Sequence, residues 1–352
     1  LMSYQFNVAL PVNLRISLIL KTLTMCADNP LPSLDFSQVR PLVTIVGPTG
    51  VGKTEIALQV AQGLRAEIVS ADSRLLYIGM DIGTAKPTLA DRSRVPHHLI
   101  DVSTPDKIWS LAEYQSAAYQ AIDDIHQHNR LPLLVGGTGQ YIHAITQGWK
   151  IPPAQPQSVI RKALETWATQ IGNQALHDRL ATIDPKAASS IDPSNLRRTI
   201  RALEVIFSTG QCFSAQRDRK LAPYTILQLG ITRPRPELYK RIDDRIEAMI
   251  ASGLINEVQH LLDLGYSPSL PTLSAIGYGE IVAYLRHQSS LEEAIILIKR
   301  RTRIFVRRQA NWFKPGEPSI HWFTAADNTL FLIEQSIRQW LASLSNPANP
   351  IS

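Results

Sequence analysis

The stretch Gly47-Pro-Thr-Gly-Val-Gly-Lys-Thr54 decides the fold of this chain. It matches the phosphate-binding pattern G-x-x-x-x-G-K-[ST] in full, follows an apolar run at 42–46 and opens a stretch of helical spacing at 53–64. In such a loop the backbone N–H groups converge on an anion, the helix N-terminus adds about half a positive charge, and the lysine adds a full one. The sequence therefore predicts a phosphate-binding P-loop, in which the hydroxyl of Thr54 is suited to Mg²⁺.

The apolar runs around this loop predict a mostly parallel sheet. Runs at 42–46, 67–71, 131–135 and 225–231 have the character of buried strands, and helical spacing separates them. Strands that alternate with helices over such distances form βαβ units. The predicted class is α/β: a P-loop NTPase-like core with a mostly parallel sheet, a helical insertion domain and a helical C-terminal region.

No strand pattern is evident between residues 148 and about 195. Helical stretches follow at 159–170 and 174–183, and later at 237–252, 254–264 and 291–313. We therefore divide the chain into five parts. They are 1–40, an N-terminal extension expected to be disordered or wrongly included, with Met25 as an alternative start; 41–148, the first part of the P-loop core; 149–195, the helical insertion; 196–330, the rest of the core and an arginine-rich helical region; and 331–352, a C-terminal tail.

Composition limits the kinds of protein this can be. Hydrophobic residues make up 44% and charged residues 19% of the 352 residues, and no apolar run approaches the roughly 18 residues of a membrane span. The net charge of +6 points to an anionic partner. Cys26 and Cys212 lie far apart, which excludes a disulfide framework and a cysteine-based zinc site and fits a reducing cytoplasm. Nothing in the sequence demands a dimer, so we expect a monomer.

Two further groups are predicted at the edge of the sheet where the P-loop lies. Asp72 follows the run at 67–71, and Gly136-Gly137-Thr138 follows the run at 131–135. Ligands of open α/β sheets bind at the carboxyl ends of the strands. Asp72 is therefore a candidate metal ligand or general base, the alternative being a carboxylate that only caps the next turn. Thr138 is a candidate hydrogen-bonding residue.

The metal-organising aspartate of a P-loop nucleotidase has no clear counterpart. Such enzymes carry an apolar strand that ends in Asp, whereas the run at 131–135 ends in Gly-Gly-Thr. The nearest candidate is Asp101, after a short run at 98–100. The loop is thus predicted to hold phosphates without nucleotide hydrolysis being required.

Arginines are concentrated in three places in the second half of the chain. The first set opens one helix, the second lies at i and i+4 within another, and the third occupies six of the ten positions at 299–308. The members are Arg197, Arg198 and Arg201; Arg241 and Arg245; and Lys299, Arg300, Arg301, Arg303, Arg307 and Arg308. An apolar seam of Ile295, Ile298, Phe305 and Trp312 accompanies the third set. Because acidic residues do not alternate with these cations, the pattern favours binding to a phosphate backbone over an ordinary solvated face.

Taken together, these residues resemble the tRNA dimethylallyltransferases, also called tRNA isopentenyltransferases. The matching blocks run in order across about 41–325. They are GPTGVGKT from Gly47, SADSRLLYIGMDIGTAKP from Ser70, LLVGGTGQY ending at Tyr141, RALEV from Arg201, RIDDRIEAMIASGL from Arg241, AIGYGE from Ala275 and TRIFVRRQANWF ending at Phe313. A DSxxxYxGMDIGTAKP block just after a P-loop is highly specific for this family.

The resemblance implies transfer of a dimethylallyl group from dimethylallyl diphosphate to N6 of the adenosine 3′-adjacent to the anticodon, with Mg²⁺ as cofactor and the tRNA anticodon stem-loop as partner. It assigns Asp72 as general base, Thr138 near the reacting groups and Arg245 at the leaving diphosphate. The implied diphosphate-binding residues are Gly47, Thr49, Gly50, Gly52, Lys53 and Thr54, with Thr54 also near the metal. The expected tRNA-binding residues, from the family segments and the basic helix, are Asp72, Ser73, Arg74, Leu75, Arg197, Arg198, Arg201, Gly277, Tyr278, Arg303 and Arg307.

The chain departs from the family pattern at a few positions. Leu75 stands where many members have Gln, and Ile304 and Val306 are more apolar than usual. No Cys/His zinc module follows residue 325, which resembles the bacterial type. Two other functions are considered. A P-loop small-molecule kinase does not explain the arginine-rich helix. A non-catalytic RNA-binding module gives no role to Asp72 and Thr138.

Overall fold

A six-stranded parallel β-sheet forms the core of the protein. The computed structural model describes residues 34–151, 158–215 and 222–345. The strands are β1 (Pro41–Val46), β2 (Ala66–Ser70), β3 (His97–His98), β4 (Leu131–Gly136), β5 (Thr225–Thr232) and β6 (His321–Thr324). Their order is β3-β2-β4-β1-β5-β6, and every neighbouring pair is parallel. The predicted α/β class with a parallel sheet is confirmed.

The helices of the described residues connect and cover these strands. They are α1 (Phe36–Val39), α2 (Lys53–Leu64), α3 (Leu89–Arg94), α4 (Leu111–Gln127), α5 (Gly139–Thr146), α6 (Ser158–Ile171), α7 (Asn173–Ile183), α8 (Pro185–Ser189), α9 (Leu196–Thr209), α10 (Arg235–Ala251), α11 (Leu254–Asp263), α12 (Tyr278–Leu285), α13 (Leu291–Gln309) and α14 (Thr329–Ser345). Both β1 and β4 are buried along their whole length, which is why they appear in the sequence as continuous apolar runs. Val46 pairs with Gly136 and with Gly230, so three strand ends meet at the edge that carries the P-loop.

A second, smaller hydrophobic core holds the helical insertion together. Leu164, Leu176, Leu180 and Leu203 are buried in it, and they come from α6, α7 and α9. The sequence division at 195/196 separates α9 from the helices on which it packs. The division stays a prediction, but this packing favours an insertion that extends through Thr209.

Residues 34–40 pack on the main core, contrary to the expectation that 1–40 is disordered. Phe36 is buried, and its backbone N–H donates to Oδ1 of Asn129 at 3.3 Å. The side chain of Asp35 caps α1. A helix of four residues carries no periodicity that a sequence pattern reveals, so this anchor was not predicted. Residues 1–33, and 346–352 of the predicted tail, lie outside the described residues.

Two elements near the C-terminus were not predicted. The strand β6 extends the sheet beside β5, and α14 buries Ile333, Ile337 and Leu341. Only four residues long and partly exposed, β6 shows neither a continuous apolar run nor strict alternation. Among residues 34–151, 158–215 and 222–345, no helix is both long enough and apolar enough to cross a membrane.

The arginine-rich helix α13 is shorter than predicted, and one residue of its expected apolar seam is exposed. It ends at Gln309 instead of continuing to 313. Its buried positions are Ala294, Ile298, Val306 and Gln309, whereas Phe305, which we expected in the apolar seam, is 40% exposed. The helical period does not account for this exposure, because residue 305 lies within about 20° of residues 294 and 298 around the helix axis.

Candidate active site

The P-loop lies between β1 and α2. Gly47 has a φ of +150°, and a Cβ at this position would come 2.4 Å from the carbonyl oxygen of Ile231 in β5. Only glycine fits such a close backbone approach. No side chain caps α2, whose N-cap is Gly52. The first N–H groups of this helix are therefore available to an anion.

Lys53 lies inside the loop. Its Nζ donates to the carbonyl oxygens of Gly47 and Pro48, each at 3.0 Å. Burial lowers the pKa of Lys53 to about 8; Asp72 partly opposes this effect, and the cation of Arg245 adds to it. At neutral pH the loop therefore holds a positive charge that little solvent screens.

Asp72 and Arg245 place opposite charges beside Lys53. The carboxylate Oδ1 of Asp72 accepts the backbone N–H of Arg74 at 2.9 Å, so the turn-capping role is present. Asp72 also lines the cavity described below. Burial lowers the pKa of Arg245, and Asp72 opposes that shift. The predicted base, the P-loop lysine and the predicted diphosphate ligand thus interact electrostatically in one site.

A cavity of about 820 Å³ opens in front of the P-loop. It brings together eight predicted site residues: Thr49, Gly50, Gly52, Lys53, Thr54, Asp72, Leu75 and Arg245. The remaining lining includes an apolar group: Ile82, Ala85, Pro87, Leu89, Ala248 and Met249. The cavity therefore carries cations at the loop end, its remaining lining mixes these apolar residues with charged ones such as Asp81, Lys86 and Arg92, and its volume is in the range of small-molecule sites.

The wall of the cavity at 81–83 is held by Glu257 of α11. Its carboxylate accepts the backbone N–H groups of Asp81, Ile82 and Gly83 at 2.9, 2.7 and 3.1 Å. It also accepts the hydroxyl of Tyr278 at 2.6 Å. Three backbone donors on one carboxylate fix the turn in place.

This arrangement argues against direct tRNA contact by Gly277 and Tyr278. Both residues are buried, and the ring of Tyr278 has no exposed surface. Their assignment to tRNA binding rested on the resemblance to the family alone. Here Tyr278 instead supports the wall at 81–83, because its hydroxyl shares Glu257 with that turn.

Thr138 lies next to the segment that carries Asp72. It is the N-cap of α5, and its Oγ1 accepts the backbone N–H of Ser73 at 3.1 Å. Its own N–H donates to the carbonyl of Ala71. Thr138 is not one of the cavity-lining residues, so its contact with a substrate stays a prediction.

Asp101 is paired with two cations, both of which line the cavity. Its carboxylate accepts bonds from Lys86 and from Arg92, the latter at 2.7 Å. These two cations balance the charge of the Asp101 carboxylate, so its position is explained without a metal. Among the described residues, no group of three or more His, Cys, Asp or Glu side chains is placed to hold an ion.

The cations of α13 divide into paired and exposed groups. Lys299 pairs with Glu247 at 2.7 Å, Arg301 with Glu280 at 2.7 Å, and Arg303 with Asp243. Arg301 is nevertheless exposed, and the exposed cations of this helix without a salt bridge among the described residues are Arg300, Arg307 and Arg308. Arg300 and Arg307 line a shallow depression of about 330 Å³ that also contains Tyr239. Of the two predicted tRNA-binding residues on this helix, Arg307 is exposed and Arg303 is already held by a carboxylate.

The arginines of α9 lie in the insertion and do not line the cavity. Arg197 and Arg198 are exposed. Arg201 donates to the buried carboxylate of Glu204 at 2.9 Å, which Arg161 also contacts. Arg74, also predicted to bind tRNA, is exposed beside Asp72.

Three residues of the site environment were not predicted. Arg241 donates to the carbonyl of Gly50 in the P-loop at 3.2 Å. Glu257 holds the cavity wall, and Gln309 bonds to the P-loop backbone. The sequence indicated Arg241 only as a neighbour of Arg245. Glu257 and Gln309 contact residues far away in sequence, so no local pattern predicts their roles.

The fold and the site define a P-loop protein of the parallel α/β class, with a carboxylate and two cations at one end of a partly apolar cavity. The chain belongs to the IPP transferase family, whose model matches residues 75–316. A curated relative named tRNA dimethylallyltransferase, from Roseiflexus sp. (strain RS-1), is 53% identical over 274 residues, which are 78% of this chain and 90% of that protein. Another of that name, from Dehalococcoides mccartyi, is 45% identical over 302 residues, covering 86% and 93%.

Solved structures show the same relationship. The full-length tRNA isopentenylpyrophosphate transferase from Bacillus halodurans is 40% identical, has a TM-score of 0.65, and covers 87% of this chain and 98% of its own. A eukaryotic dimethylallyltransferase acting on tRNA shares the fold, with a TM-score of 0.73 at 24% identity over 89% of this chain and 81% of its own. The family predicted from the sequence is confirmed.

Proposed function

We propose that this chain transfers the dimethylallyl group of dimethylallyl diphosphate to N6 of the adenosine 3′-adjacent to the anticodon in tRNA, with release of diphosphate. The names of the curated relatives support this activity. The observation that carries the proposal is the cavity, in which the P-loop, Arg245 and Asp72 meet an apolar wall. A prenyl diphosphate has the same division into a charged and an apolar end.

Asp72 is the residue proposed to take the proton. The exocyclic amine of adenine is a weak nucleophile because its lone pair is delocalised into the ring. As N6 forms the new C–N bond, the allylic C–O bond breaks and the diphosphate leaves with the electron pair. One N6 proton then passes to the carboxylate of Asp72, which balances the reaction.

The cations of the site act on the leaving group. Negative charge develops on the diphosphate oxygen as the C–O bond breaks, and the allylic carbon delocalises the opposite charge. Lys53, Arg245 and the N–H groups of the loop are held in place before reaction, so they stabilise this charge without reorganising. The apolar wall, including Ile82 and Met249, is placed to hold the five-carbon group and keep water out.

Mg²⁺ fits Thr54 at this end of the cavity. The hydroxyl of Thr54 is a hard oxygen donor, and the residue lines the cavity. Mg²⁺ keeps several waters and is commonly bound through one or two protein oxygens together with substrate phosphates. When bound, the ion would supply positive charge to the diphosphate.

The exposed cations of α13 are proposed to bind the tRNA backbone. A flipped adenosine must enter the cavity, and extrusion costs least in a single-stranded loop. Arg300, Arg307 and Arg308 are exposed on one helix, and the first two line a depression with Tyr239, whose ring contacts the guanidinium of Arg303. Arg74 and the pair Arg197 and Arg198 are further proposed contacts. A monomeric state and a cytoplasmic location stay predictions.

One assay separates this function from the small-molecule kinase. The protein is incubated with Mg²⁺, dimethylallyl diphosphate and unmodified tRNA that carries adenosines at that position, and prenylated adenosine is measured. We expect product with dimethylallyl diphosphate and none when ATP replaces it. Absence of prenylated tRNA together with ATP turnover on a small acceptor would support the kinase.

The affinity for diphosphate should depend on pH through Lys53. Its pKa of about 8 in the free enzyme means that the side chain is charged below pH 8 and neutral above it. Because an anion binds the charged form, the ratio of the wild-type Kd of inorganic diphosphate to that of Lys53→Arg, which cancels the ionisation of diphosphate itself, should be flat below pH 8 and rise by up to about tenfold per unit above it. Titration calorimetry from pH 7 to 9.5 measures this change. Lys53→Arg stays charged throughout this range; a ratio that is constant to pH 9.5 contradicts the assignment.

The salt dependence of tRNA binding should report the surface of α13. Replacing Arg300 and Arg307 by Gln should reduce the slope of log Kd against log salt by about 1.4 to 1.8, since each phosphate contact contributes about 0.7 to 0.9. The matched control replaces two exposed cations elsewhere, Arg65 and Lys107, and should leave the slope unchanged. If both double variants have the same slope, the exposed cations of α13 belong to an ordinary solvated face and do not contact tRNA phosphates.

A further inference from the structure

Gln309 joins the two backbone segments that form the charged end of the site. It is the last residue of α13 and is 5% exposed. Its Oε1 accepts the backbone N–H of Thr49 in the P-loop at 2.8 Å, and its Nε2 donates to the carbonyl of Gly137 at 3.1 Å. One amide therefore spans the P-loop and the turn that leads into Thr138.

The two partners fix the orientation of this amide. Thr49 offers an N–H, which needs an acceptor, and Gly137 offers a carbonyl, which needs a donor. Both partners are backbone groups, so the bonds constrain the path of the chain and not merely a side chain. A charged or apolar side chain at 309 satisfies at most one of them.

The glycine at 137 is explained by the same contact. A Cβ at Gly137 would come 2.3 Å from Nε2 of Gln309. Any side chain there would displace the amide or move the turn. The second glycine of Gly136-Gly137-Thr138 therefore makes room for Gln309, a residue 172 positions later in the chain.

We infer that Gln309 is a positioning residue, which sets the conformation of the P-loop relative to the Gly137–Thr138 turn and so its affinity for the diphosphate group. The N–H of Thr49 is occupied by the amide, and this holds the Thr49 end of the loop while the groups from Gly52 to Thr54 face the cavity. The C-terminal end of α13 is thereby connected by hydrogen bonds to the proposed diphosphate site. The inference rests on the proposed function only for the identity of the leaving group.

The test is direct binding of inorganic diphosphate to folded variants, without tRNA. Gln309→Met keeps the side-chain length and removes both bonds. We expect its Kd for diphosphate to rise about tenfold or more, with a higher KM for dimethylallyl diphosphate and an unchanged Kd for tRNA. The control Val306→Ala removes a buried side chain one turn earlier on α13, lowers Tm, and should leave diphosphate binding unchanged.

A second pair of variants separates positioning from packing. Gly137→Ala should weaken diphosphate binding by pushing the amide away. Adding Gln309→Ala gives the new methyl group space, so the double variant should recover Tm relative to Gly137→Ala but not diphosphate affinity. If Gln309→Met does not fold, the diphosphate affinities of these two variants still test the positioning role of Gln309.

The outcomes are distinct. Unchanged diphosphate affinity in the folded Gln309 and Gly137 variants, or a loss equal to that of Val306→Ala, overturns the positioning role. A wild-type protein that binds no diphosphate overturns it as well. A wild-type protein that binds diphosphate yet does not prenylate tRNA contradicts the proposed function alone, and the Gln309 comparison still stands.

Discussion

Replacing Asp72 by asparagine should lower the kcat of prenyl transfer by about 10²- to 10⁴-fold, the usual contribution of a positioned general base. Asparagine has nearly the same shape and keeps an oxygen for the N–H of Arg74, so the turn after β2 should survive. The affinity for tRNA should therefore stay within a few-fold of the wild-type value. Single-turnover transfer of a labelled dimethylallyl group, with saturating tRNA, measures the effect.

The matched control for this variant is Asp244→Asn. Asp244 is an exposed carboxylate that lines the same cavity and pairs with Lys240 at 2.8 Å. Its replacement removes one negative charge from the cavity without touching the proposed base, so the rate should change little. Near-normal transfer by the Asp72 variant, or equal losses in both variants, would show that Asp72 does not accept the proton.

Lys53→Ala should produce the second large effect, on diphosphate binding and on the rate. The variant removes a buried cation whose pKa the site has already lowered to about 8. Loss of one pre-organised donor to a developing oxyanion costs about 10²- to 10³-fold in rate. We expect a loss of that size in kcat/KM for dimethylallyl diphosphate, while tRNA affinity is retained.

Steady-state kinetics with varied dimethylallyl diphosphate, and filter binding of tRNA, measure the two quantities. Lys240→Ala is the control, since Lys240 is an exposed cation of the neighbouring α10 that pairs with Asp244. The assignment of Lys53 is wrong if its variant keeps the wild-type kcat/KM. It is also wrong if tRNA affinity falls in parallel, because Lys53 would then act mainly on the fold.

Much of this molecule could be predicted because its signals are local. A P-loop needs glycines, a lysine and a hydroxyl at fixed spacing between one strand and one helix, and all of these lie within Gly47–Thr54. The buried strands β1 and β4 appear as apolar runs because both of their faces are covered. The end of β2 then placed Asp72 at the ligand-binding edge by the topology of parallel sheets alone.

Contacts that the sequence did not reveal are found where burial or pairing depends on distant partners. Tyr278 is one of the predicted tRNA-binding residues, and its hydroxyl donates to Glu257 inside the protein. Arg303 belongs to a run of cations, but Asp243 of α10 neutralises it. No spacing rule reveals such a partner, because the two helices approach each other only after the chain folds.

The sequence by itself determined that Gly47–Thr54 is a P-loop in a parallel α/β sheet, and that the chain resembles the prenyl transferases of tRNA. The tertiary structure alone decided which cations stay exposed on α13, how Glu257 holds the cavity wall, and that Gln309 meets Thr49. The physical reason is the separation along the sequence of the residues that determine each feature. Backbone conformation and strand burial follow from neighbours a few residues apart, whereas the hydrogen bond from Thr49 to Gln309 joins residues separated by 260 positions.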